Sequence, residues 1–472
     1  MSLWDERLLL TRALFVERLL DLGGEMIGTG RIGLSVDTRH GVKRVRVELP
    51  VDFPFSPPRV FPGFDLPHSW HRERDGAMCL YGAEGRESLP WLDSGDFLDL
   101  VSRWIESSEA GWPGDTGDLD LERYFEQSVQ PLVVYDRALA DIVQGPVRFR
   151  FRGSRLMLSG SGGSPGARPR GRVFGHVVDI GEPAVPPRDW SDIAAMLPPA
   201  LVSSIETRAR NGSSDLLFVK YKRADENAAM VLSIRHADQG IQLVALPSAS
   251  SDPKILRLRS GSQAPALAEK KVLIVGVGAV GSSIADLLVR AGVGELVLRD
   301  HDVLRPGNAV RHVAAAHLAG LSKVEAVKRT LDAYDFSGTH VEAVAKALTD
   351  PMEVDSLLAE FDLIIDASAD AAASTLMAEA ARSFGQKILS VCVQDEGRVV
   401  RVDVIPSDPS PALPPARLRT RGAAVLEPGC GEPVSLTPAF AVSEAASLGA
   451  RFATQLLLGS LGASAGEIRE YA

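Results

Sequence analysis

Residues 271–323, KVLIVGVGAVGSSIADLLVRAGVGELVLRDHDVLRPGNAVRHVAAAHLAGLSK, decide the fold of the C-terminal part of this chain. A short apolar strand, VLIV, runs into a glycine loop, and the pattern predicts a helix from about Ser282. The loop glycines are Gly276, Gly278 and Gly281. Backbone N–H groups at such a helix start can approach phosphates. The glycines alone are equally compatible with a tight packing turn, and many NAD enzymes share the pattern.

Polar residues after the glycine loop narrow the choice of nucleotide. A second predicted strand, ELVLRDHD, ends in Asp300 and Asp302, and Asn308, Arg311 and Lys323 follow. A hydride-transfer site needs one acid for the ribose and little else. If a carboxylate attacks the α-phosphate of ATP, negative charge builds on the phosphoryl oxygens and the pyrophosphate, and an Arg and a Lys can neutralise it. Taken singly, each cation fits a solvated helix face better.

The order of these motifs, glycine loop, DxD, NxxR and Lys, resembles the adenylating domain of ubiquitin-activating enzymes and of their bacterial relatives that charge sulfur-carrier proteins. The likeness runs from about residue 270 to about residue 459. It implies ATP and Mg²⁺ as cofactors. By the same resemblance Asp300 holds the ribose, and Asn308, Arg311 and Lys323 hold the phosphates.

An acid after the predicted strand FDLII holds the magnesium by this resemblance. The family usually has two acids three residues apart there, whereas Asp366 and Asp370 are four apart. We prefer Asp370, because Asp366 ends an apolar strand and could simply cap its turn. Many relatives carry paired CxxC zinc ligands, but the three cysteines of this chain, Cys79, Cys392 and Cys430, cannot build a Cys₄ site. We expect no structural zinc.

Length and composition favour a large enzyme of the cytoplasm. The chain has 472 residues, 45% of them hydrophobic, which allows two to four domains. Its 61 acidic and 51 basic residues give a net charge of −10, which argues against a general nucleic-acid or membrane-surface role. Neither a cleavable leader nor a membrane-spanning run is evident. Three cysteines favour a reducing compartment over a disulfide framework.

The first 110 residues predict a helix, strands, a proline loop, a cysteine loop and a second helix. The segment DERLLLTRALFVERLLDLGG has a helical apolar stripe closed by two glycines. Alternating valines and arginines in VKRVRVELP predict a half-buried strand, and the prolines of PFSPP end regular pairing. This order, the words PFSPP and GAMCL, and Trp91 resemble a ubiquitin-conjugating enzyme domain over residues 3–110.

The second resemblance implies that Cys79 is a thioester-forming nucleophile. Gly76 stands three residues before it, as in the family, whose HPN motif also puts an asparagine eight residues before the cysteine to support an oxyanion. Here that residue is His71, with His68 nearby. An imidazole can donate a hydrogen bond to an oxyanion, so His71 either replaces the asparagine or is a surface histidine. The alternative for Cys79 is a buried inert thiol.

Cys430 is the second thiol with a predicted role. It lies in a Gly/Pro loop, LEPGCGEP, before a predicted helix of small and apolar residues, and Pro438 follows eight residues later. In the activating family this position carries the thiol that meets the acyl-adenylate. A thiolate there could take the acyl group off AMP, and the alternative is a loop cysteine without a role. Cys392 lies in an apolar strand-like run and is predicted to pack in the core.

The region between the two recognisable ends, residues 146–260, has no assigned role. Several strand-like runs and one helical segment predict a β-rich α+β domain, and the insert SGSGGSPGARPRGR predicts a loop. The alternating arginines of VRFRFR fit a solvated strand face better than a reader of anions. The fold class is therefore α/β multidomain. The predicted parts are an α+β conjugating-like domain (1–125), a β-rich domain (126–265) and a Rossmann-like α/β adenylating domain (266–472).

Together the two resemblances imply an acyl relay. Mg-ATP and a protein C-terminus give an acyl-adenylate, Cys430 takes the acyl group as a thioester, and Cys79 receives it by thiol exchange. A lysine amine of a target protein then completes an isopeptide bond. The order of modules resembles the bacterial activating–conjugating fusion enzymes of antiphage defence, particularly those of CBASS systems. That likeness implies a homodimer and, as donor, a cGAS-like nucleotidyltransferase or a ubiquitin-like protein.

Two other classes of function stay open. A sulfur-carrier adenylyltransferase of the thiamine or molybdopterin type would leave residues 3–110 unexplained and Cys79 dispensable. An NAD-dependent oxidoreductase or an inactive scaffold would tolerate free changes of Arg311 and Lys323.

Overall fold

The computed structural model describes most of the chain. The described residues are 3–81, 89–115, 119–135, 141–142, 144–153, 155–161, 172–224, 226–238, 240–334, 338–419, 425–426 and 434–471. Cys430 and most of the predicted insert loop lie outside them. The chain divides into two compact units, Met1–Ser250 and Ser251–Ala472, and the three-part division expected from the sequence stays a prediction. Every helix in the described ranges is too short or too polar to cross a bilayer.

The first unit begins with a helix, an antiparallel four-stranded meander and a second helix. These elements are α1 (Leu3–Asp21), β1 (Glu25–Gly28), β2 (Arg31–Thr38), β3 (Gly41–Glu48), β4 (Arg59–Pro62) and α2 (Ser94–Glu109), with the strands in the order β1-β2-β3-β4. Alternation along β2 and β3 buries one face, where Ile32 lies opposite Val47. Phe15 of α1 and Phe97 of α2 pack on that face. The side chain of Asp93 caps α2.

A nine-stranded sheet and two short helices complete the first unit. They are β5 (Glu126–Gln127), β6 (Leu132–Tyr135), β7 (Gly145–Arg152), β8 (Arg155–Ser161), β9 (Arg172–Asp179), α3 (Trp190–Ala195), α4 (Pro199–Arg210), β10 (Leu216–Arg223), β11 (Glu226–Ala237), β12 (Gly240–Leu246) and β13 (Ser248–Ser250). The strand order is β13-β6-β8-β7-β9-β10-β11-β12-β5. In β7, Val147 and Phe149 are buried while Arg150 and Arg152 are exposed. The solvated face predicted for these arginines is thereby confirmed.

The segments before Cys79 and after α2 pack in a core of the nine-stranded sheet, which is separate from the core of the four-stranded meander. Trp70, from the segment before Cys79, packs with Leu121, Tyr124 and Phe125 in one cluster with side chains of β10 and β11. β5 starts directly after Phe125 and pairs in parallel with β12, at one edge of the nine-stranded sheet. The segment that follows α2 therefore belongs structurally to the nine-stranded sheet.

The second unit is an α/β domain around one seven-stranded sheet. Its elements are α5 (Pro253–Arg257), α6 (Ala264–Leu267), β14 (Lys271–Val275), α7 (Ala279–Ala291), β15 (Glu295–Arg299), α8 (Lys323–Asp332), β16 (His340–Val344), α9 (Pro351–Glu360), β17 (Leu363–Asp366), α10 (Ala371–Phe384), β18 (Ile388–Gln394), β19 (Val399–Ile405), α11 (Ala439–Leu457) and β20 (Gly466–Glu470). The strand order is β16-β15-β14-β17-β18-β19-β20. The first five are parallel, and β19 and β20 are antiparallel. This confirms the Rossmann-like α/β fold predicted for the C-terminal part.

The helix after the glycine loop begins earlier than predicted. α7 starts at Ala279 and not at about Ser282, because Gly278 already acts as its N-cap. Gly278 has extended backbone angles, and its carbonyl accepts the N–H of Ser282 at 2.9 Å, which closes the first helical turn. The chain order β16-β15-β14 reverses at β14, so the crevice where ligands bind in such sheets opens beside this loop.

Candidate nucleotide and thiol sites

A cavity of about 500 Å³ opens in the second unit at the carboxyl ends of its parallel strands. Residues predicted from the sequence line it, namely Gly276, Gly278, Asp300, Asp302, Arg311, Lys323 and Asp370. Gly281 is buried inside α7, and Asn308 lines an adjoining cavity of about 830 Å³ that shares Arg311 and Lys323 with the first. The volume lies within the range of small-molecule sites in proteins.

The structure favours glycine at the three loop positions for different reasons. Gly276 has φ +86°, and a β-carbon on it would lie 2.3 Å from the Cα of Ser368. A β-carbon on Gly281 would lie 1.9 Å from the carbonyl oxygen of Gly276. A β-carbon on Gly278 would meet no atom within 4 Å. Two glycines therefore allow the loop to pack, and the middle one leaves the main chain open to the cavity, as a phosphate site requires.

Asp300 ties the glycine loop to the end of β15. Its Oδ2 accepts the N–H of Val277 at 2.7 Å, and its Oδ1 accepts the N–H of Asp302 at 2.8 Å. Each carboxylate oxygen has a second lone pair, so these bonds leave acceptors for a sugar hydroxyl. The position fits the ribose-binding role predicted for Asp300, which stays a prediction.

The two predicted cations have different hydrogen-bond partners, and only one of the two is paired with a carboxylate. Lys323 Nζ lies 2.7 Å from Asp302 Oδ2, and this hydrogen bond lowers the pKa of Asp302. Arg311 Nη1 donates to the carbonyl oxygens of Ser435 at 2.8 Å and Thr437 at 3.0 Å. Within the described ranges, no carboxylate lies in ion-pair distance of Arg311. Carbonyl oxygens carry no net charge, so Arg311 brings an uncompensated positive charge to the cavity.

The two candidate magnesium ligands are in contrasting surroundings. Asp366 is 3% exposed, and its carboxylate accepts hydrogen bonds from the N–H and Oγ of Ser368 and from the hydroxyls of Ser374 and Ser390. Asp370 is exposed at the cavity, where its Oδ1 caps α10 by accepting the N–H groups of Ala372 and Ala373. Asp370 thus has carboxylate lone pairs available to a hard cation, whereas Asp366 is committed to internal hydrogen bonds.

A second group of acids lies in the same cavity. Ligand atoms of Asp300, His301 and Asp302 lie within 4.8 Å of one another. Both aspartates already accept hydrogen bonds, and Mg²⁺ prefers oxygen over imidazole nitrogen. Asp370 therefore stays the better candidate ligand.

Cys392 is not packed in the core as the sequence predicted. It lies in β18 but is only half-buried and lines the 500 Å³ cavity, because β18 ends at the crevice edge of the sheet. Burial raises the pKa of its thiol to about 11, so the thiol stays protonated at neutral pH.

Cys79 lies in the first unit, in a loop pinned on both sides by main-chain hydrogen bonds. Its N–H donates to the carbonyl of His71 at 2.9 Å, and the N–H of Met78 donates to the carbonyl of Val60 in β4 at 2.7 Å. Gly76, with φ +91°, forms the turn that returns the chain to this position. The thiol itself is half-buried.

Arg123 contacts the thiol and was not found from the sequence. Its Nη1 donates to Cys79 Sγ at 3.1 Å. Burial raises the pKa of Cys79, the positive charge of Arg123 lowers it, and the carboxylate of Glu73 raises it further. Arg123 follows α2 in the segment DLDLERYF, where a single arginine among acids carries no motif. Only the folded chain, which brings residues 44 apart into contact, reveals it.

The main-chain carbonyl of His71 accepts the N–H of Cys79, but the His71 side chain contacts other residues. Its ring stacks on Trp112 with centroids 3.6 Å apart, and its Nε2 lies 3.2 Å from Asp115 Oδ2. His68 Nε2 lies 3.2 Å from the carbonyl oxygen of Pro186, and burial lowers the pKa of His68. The oxyanion role of His71 stays a prediction.

Comparisons with known proteins place the second unit in a family. Residues 254–419 match the model of the ThiF family. Over 176 residues the chain is 27% identical to the ATP-dependent ubiquitin transferase-like protein Cap2 of Vibrio cholerae, covering 36% of this chain and 30% of Cap2. Over 87 residues it is 42% identical to the ubiquitin-like modifier-activating enzyme 5 of Bombyx mori, covering 16% of this chain and 22% of that enzyme. The chain spans less than a third of the length of these relatives.

A solved structure of Escherichia coli MccB with ATP is similar over 46% of this chain and 68% of that one, at 16% identity and a TM-score of 0.34, too low to bear on the argument. The residues that match ThiF include the glycine loop, both cations and both candidate metal ligands. Residues 254–419 are therefore a ThiF-family domain similar to ubiquitin-activating enzymes, and the chain resembles Cap2 over part of its length.

Proposed function

We propose that the second unit adenylates the C-terminal carboxylate of a small protein with ATP as co-substrate. The observation that carries this proposal is the uncompensated charge of Arg311 beside a glycine loop whose middle position is open. The substrate carboxylate attacks the α-phosphorus, a new acyl–O–P bond forms, and the bond to pyrophosphate breaks. Fixed cations are most effective where such charge develops.

Each residue of the cavity has a separate task in this proposal. Main-chain N–H groups of the glycine loop bind phosphate oxygens, and Asp300 binds the ribose hydroxyls. Lys323 exchanges its ion pair with Asp302 for a phosphate, while Arg311 binds phosphate without giving up a carboxylate partner. Magnesium bound at Asp370 would supply further neutralisation of phosphate charge. The residues present fit that cation, since Asp370 retains open carboxylate lone pairs.

The adjoining 830 Å³ cavity offers a route for the donor's C-terminal tail. It shares Arg311 and Lys323 with the nucleotide cavity, so a chain end in it would reach the reacting phosphate. Asn308 and residues 434–439 line this cavity, and residues 434–438 form no helix or strand, so their main chain could pair with an extended peptide. Asn308 Oδ1 is bound to the N–H of Arg305, and its amide nitrogen is the atom that it can present to a phosphate or a peptide.

The acyl group then passes through two thiols in our proposal, first Cys430 and then Cys79. Cys430 lies outside the described residues, and its role rests on its place before Pro438 in the resemblance. The role of Cys79 is supported by its half-buried thiol against a cation. Support for a conjugating domain comes from the order helix, four-stranded meander, cysteine loop, helix, which is the order that the resemblance predicts. Cys430 displaces AMP from the acyl-adenylate and forms a thioester, and the transfer to Cys79 replaces that thioester by another, so ATP is consumed only in the adenylation step.

A lysine amine of a target protein is the final acceptor, and CBASS-type antiphage defence is the proposed setting. The donor is a cGAS-like nucleotidyltransferase or a ubiquitin-like protein, and the enzyme is a homodimer. The name of Cap2, an ATP-dependent ubiquitin transferase-like protein, supports this class of reaction.

Gels with and without reductant test the relay. The protein is incubated with Mg-ATP and each candidate donor, and adducts that reductant removes are thioesters. We expect Cys79→Ala to abolish the isopeptide product and Cys430→Ala to abolish charging of Cys79. Arg382→Ala, on an exposed face of α10, is the control and should leave both products in place. A donor that becomes adenylated but never forms a reductant-sensitive adduct would support a sulfur-carrier adenylyltransferase in place of the relay.

A further inference from the structure

A guanidinium, and not an amide or an imidazole, faces the thiol of Cys79. Arg123 Nη1 donates to Sγ at 3.1 Å. Its Nη2 donates to the hydroxyl oxygen of Tyr124 at 2.7 Å and to the carbonyl oxygen of Trp70. Its Nη1 also lies 3.1 Å from Asp120 Oδ2. Four partners hold one planar group, which is the geometry of a fixed charge.

We propose that Arg123 stabilises negative charge at Cys79, first on the thiolate and then on the oxyanion of the tetrahedral intermediate. It would thereby take the part that the conjugating family gives to an asparagine. The inference rests on the proposed function of Cys79 as an acyl acceptor and names the catalytic group that the sequence did not show.

The charges around the thiol explain why a cation is needed there. Burial and the facing carboxylate of Glu73 both raise the pKa of Cys79, and Arg123 alone among the causes acts strongly in the other direction. Asp120 offsets part of the positive charge of Arg123. The remaining charge acts on the sulfur of Cys79, because Nη1 of Arg123 is hydrogen-bonded to it. Without Arg123, desolvation and Glu73 would be unopposed, and the thiolate fraction at neutral pH would fall.

The chemical step balances with these groups. The Cys79 proton passes to water, which leaves a thiolate beside Arg123. The sulfur attacks the carbonyl carbon of the donor thioester, a C–S bond forms, and the carbonyl π pair moves to oxygen. That oxyanion, on the carbon bonded to Sγ, lies within reach of the same guanidinium. When the oxyanion collapses, the donor's C–S bond breaks and its thiolate leaves.

The β-rich part of the first unit holds Arg123 in place through Trp70. The indole Nε1 of Trp70 donates to the carbonyl of Pro183 at 3.3 Å, and the guanidinium of Arg223 lies 4.2 Å from the centre of the Trp70 ring. Arg223, which is 7% exposed, also bonds Asp115 Oδ2 at 2.6 Å. Arg223 is thus a positioning residue that acts on Arg123 through Trp70. This gives the region without an assigned role a part in the thiol site.

The pH dependence of Cys79 alkylation tests the inference without any protein partner. Full-length protein is treated with iodoacetamide at several pH values, and peptide mass spectrometry follows modification of Cys79 alone. We expect Arg123→Ala to raise the midpoint of the profile by about one pH unit and to slow alkylation at pH 7.5 about tenfold. The midpoint for Arg123→Lys should lie between those of the wild type and of Arg123→Ala. Arg74→Ala is the matched control, because Arg74 is exposed in the cysteine loop itself.

An unchanged midpoint in folded Arg123→Ala overturns the inference. If the alanine variant fails to fold, as judged by circular dichroism, Arg123→Gln keeps most of the side-chain length and two N–H donors while it removes the charge, and the criterion is the same. The outcome is separable from the relay. A raised midpoint in a protein that never forms thioesters would defeat the proposed function and leave the charge effect standing. A working relay with an unchanged midpoint would defeat only the role of Arg123.

Discussion

Each unit of this protein has an arginine at its proposed site, but the partners that surround the positive charge differ between the two. Arg311 in the second unit donates to neutral carbonyl oxygens and keeps its full charge for an incoming anion. Arg123 in the first unit is held by Asp120, Tyr124 and Trp70 and gives the remaining donor to a sulfur. In our proposal, the first arrangement attracts a multiply charged substrate and the second adjusts the pKa of a single thiol.

The sites also differ in the framework that supplies their parts. The nucleotide cavity is lined by residues at the ends of the five parallel strands of one sheet, together with residues 435–442. The thiol site joins Trp70, Cys79 and Arg123 with Arg223 of another sheet. A substitution at the nucleotide cavity should therefore change mainly the activity of the second unit. A substitution at the thiol site should change both the stability of the first unit and the reactivity of Cys79.

The largest effect expected is from Trp70→Ala. Trp70 is 7% exposed and packs in a core of the nine-stranded sheet, so we expect a loss of about 4 kcal/mol in the free energy of unfolding. Urea denaturation measures it. Trp112→Ala, which removes a half-exposed indole, is the control and should have a clearly smaller effect. Equal losses of unfolding free energy in the two variants would contradict our view that residues distant in the chain stabilise the thiol site through Trp70.

Lys323→Ala should reduce ATP–pyrophosphate exchange about 100-fold, because it removes one fixed charge from the phosphate site. The free energy of unfolding should change little, since Lys323 begins α8 and pairs with an exposed carboxylate. Arg329→Ala on the same helix is the control and should leave the exchange unchanged. A loss of stability as large as that of Trp70→Ala would remove the contrast between the units.

Acid should destabilise the first unit through His176. This side chain is 2% exposed, lies 3.1 Å from Ser214 Oγ, and burial lowers its pKa to about 4, with Arg208 adding to the effect. Between about pH 6.5 and pH 4 the unfolded chain binds a proton that the folded chain does not, so stability falls as pH falls. From pH 7 to pH 4.5 the expected loss is about 2 kcal/mol. In thermal unfolding across this range, His176→Asn should show a flatter profile than the wild type. An equally steep profile would exclude His176 as the cause.

Asp366→Asn and Asp370→Asn separate structure from metal binding in the second unit. Asp366 accepts hydrogen bonds from three serines, so the asparagine should lower the free energy of unfolding by about 1 kcal/mol. Asp370→Asn should keep stability, since asparagine caps helices equally well, and should raise the magnesium concentration needed for half-maximal pyrophosphate exchange. Titration of Mg²⁺ with both variants decides between them. A raised requirement in Asp366→Asn only would reverse our assignment.

The nucleotide cavity could be predicted to a large extent because its chemistry follows a local pattern. In a βαβ unit the residues after each strand meet at one sheet edge, so Gly276, Asp300 and Arg311 come together by topology alone. Asn308 lines the adjoining cavity, where its side-chain oxygen accepts the N–H of Arg305, and its contact with a phosphate stays a prediction. The pattern misplaced Cys392, since an apolar run does not tell which end of a strand faces the crevice.

The thiol site was only partly predictable for the opposite reason. Cys79 was found because the proline and cysteine loops are local motifs. Arg123 and Trp70 come together beside it only when the segments before Cys79 and after α2 pack on the nine-stranded sheet, and no period or spacing in the sequence encodes that meeting. A charge that acts on a thiol from 44 residues away is set by tertiary packing and is visible only in the fold.

The packing of Leu121 and Tyr124 has a consequence for how such a gene could be cut and recombined. A breakpoint after residue 125 would separate Leu121 and Tyr124 from the side chains of β10 and β11 that cover them. A breakpoint after Ser250 leaves every strand of the first unit with its neighbours. The cassette that can be inherited, exchanged or transplanted whole is therefore residues 1–250, about twice the length of the thiol-bearing motif region itself.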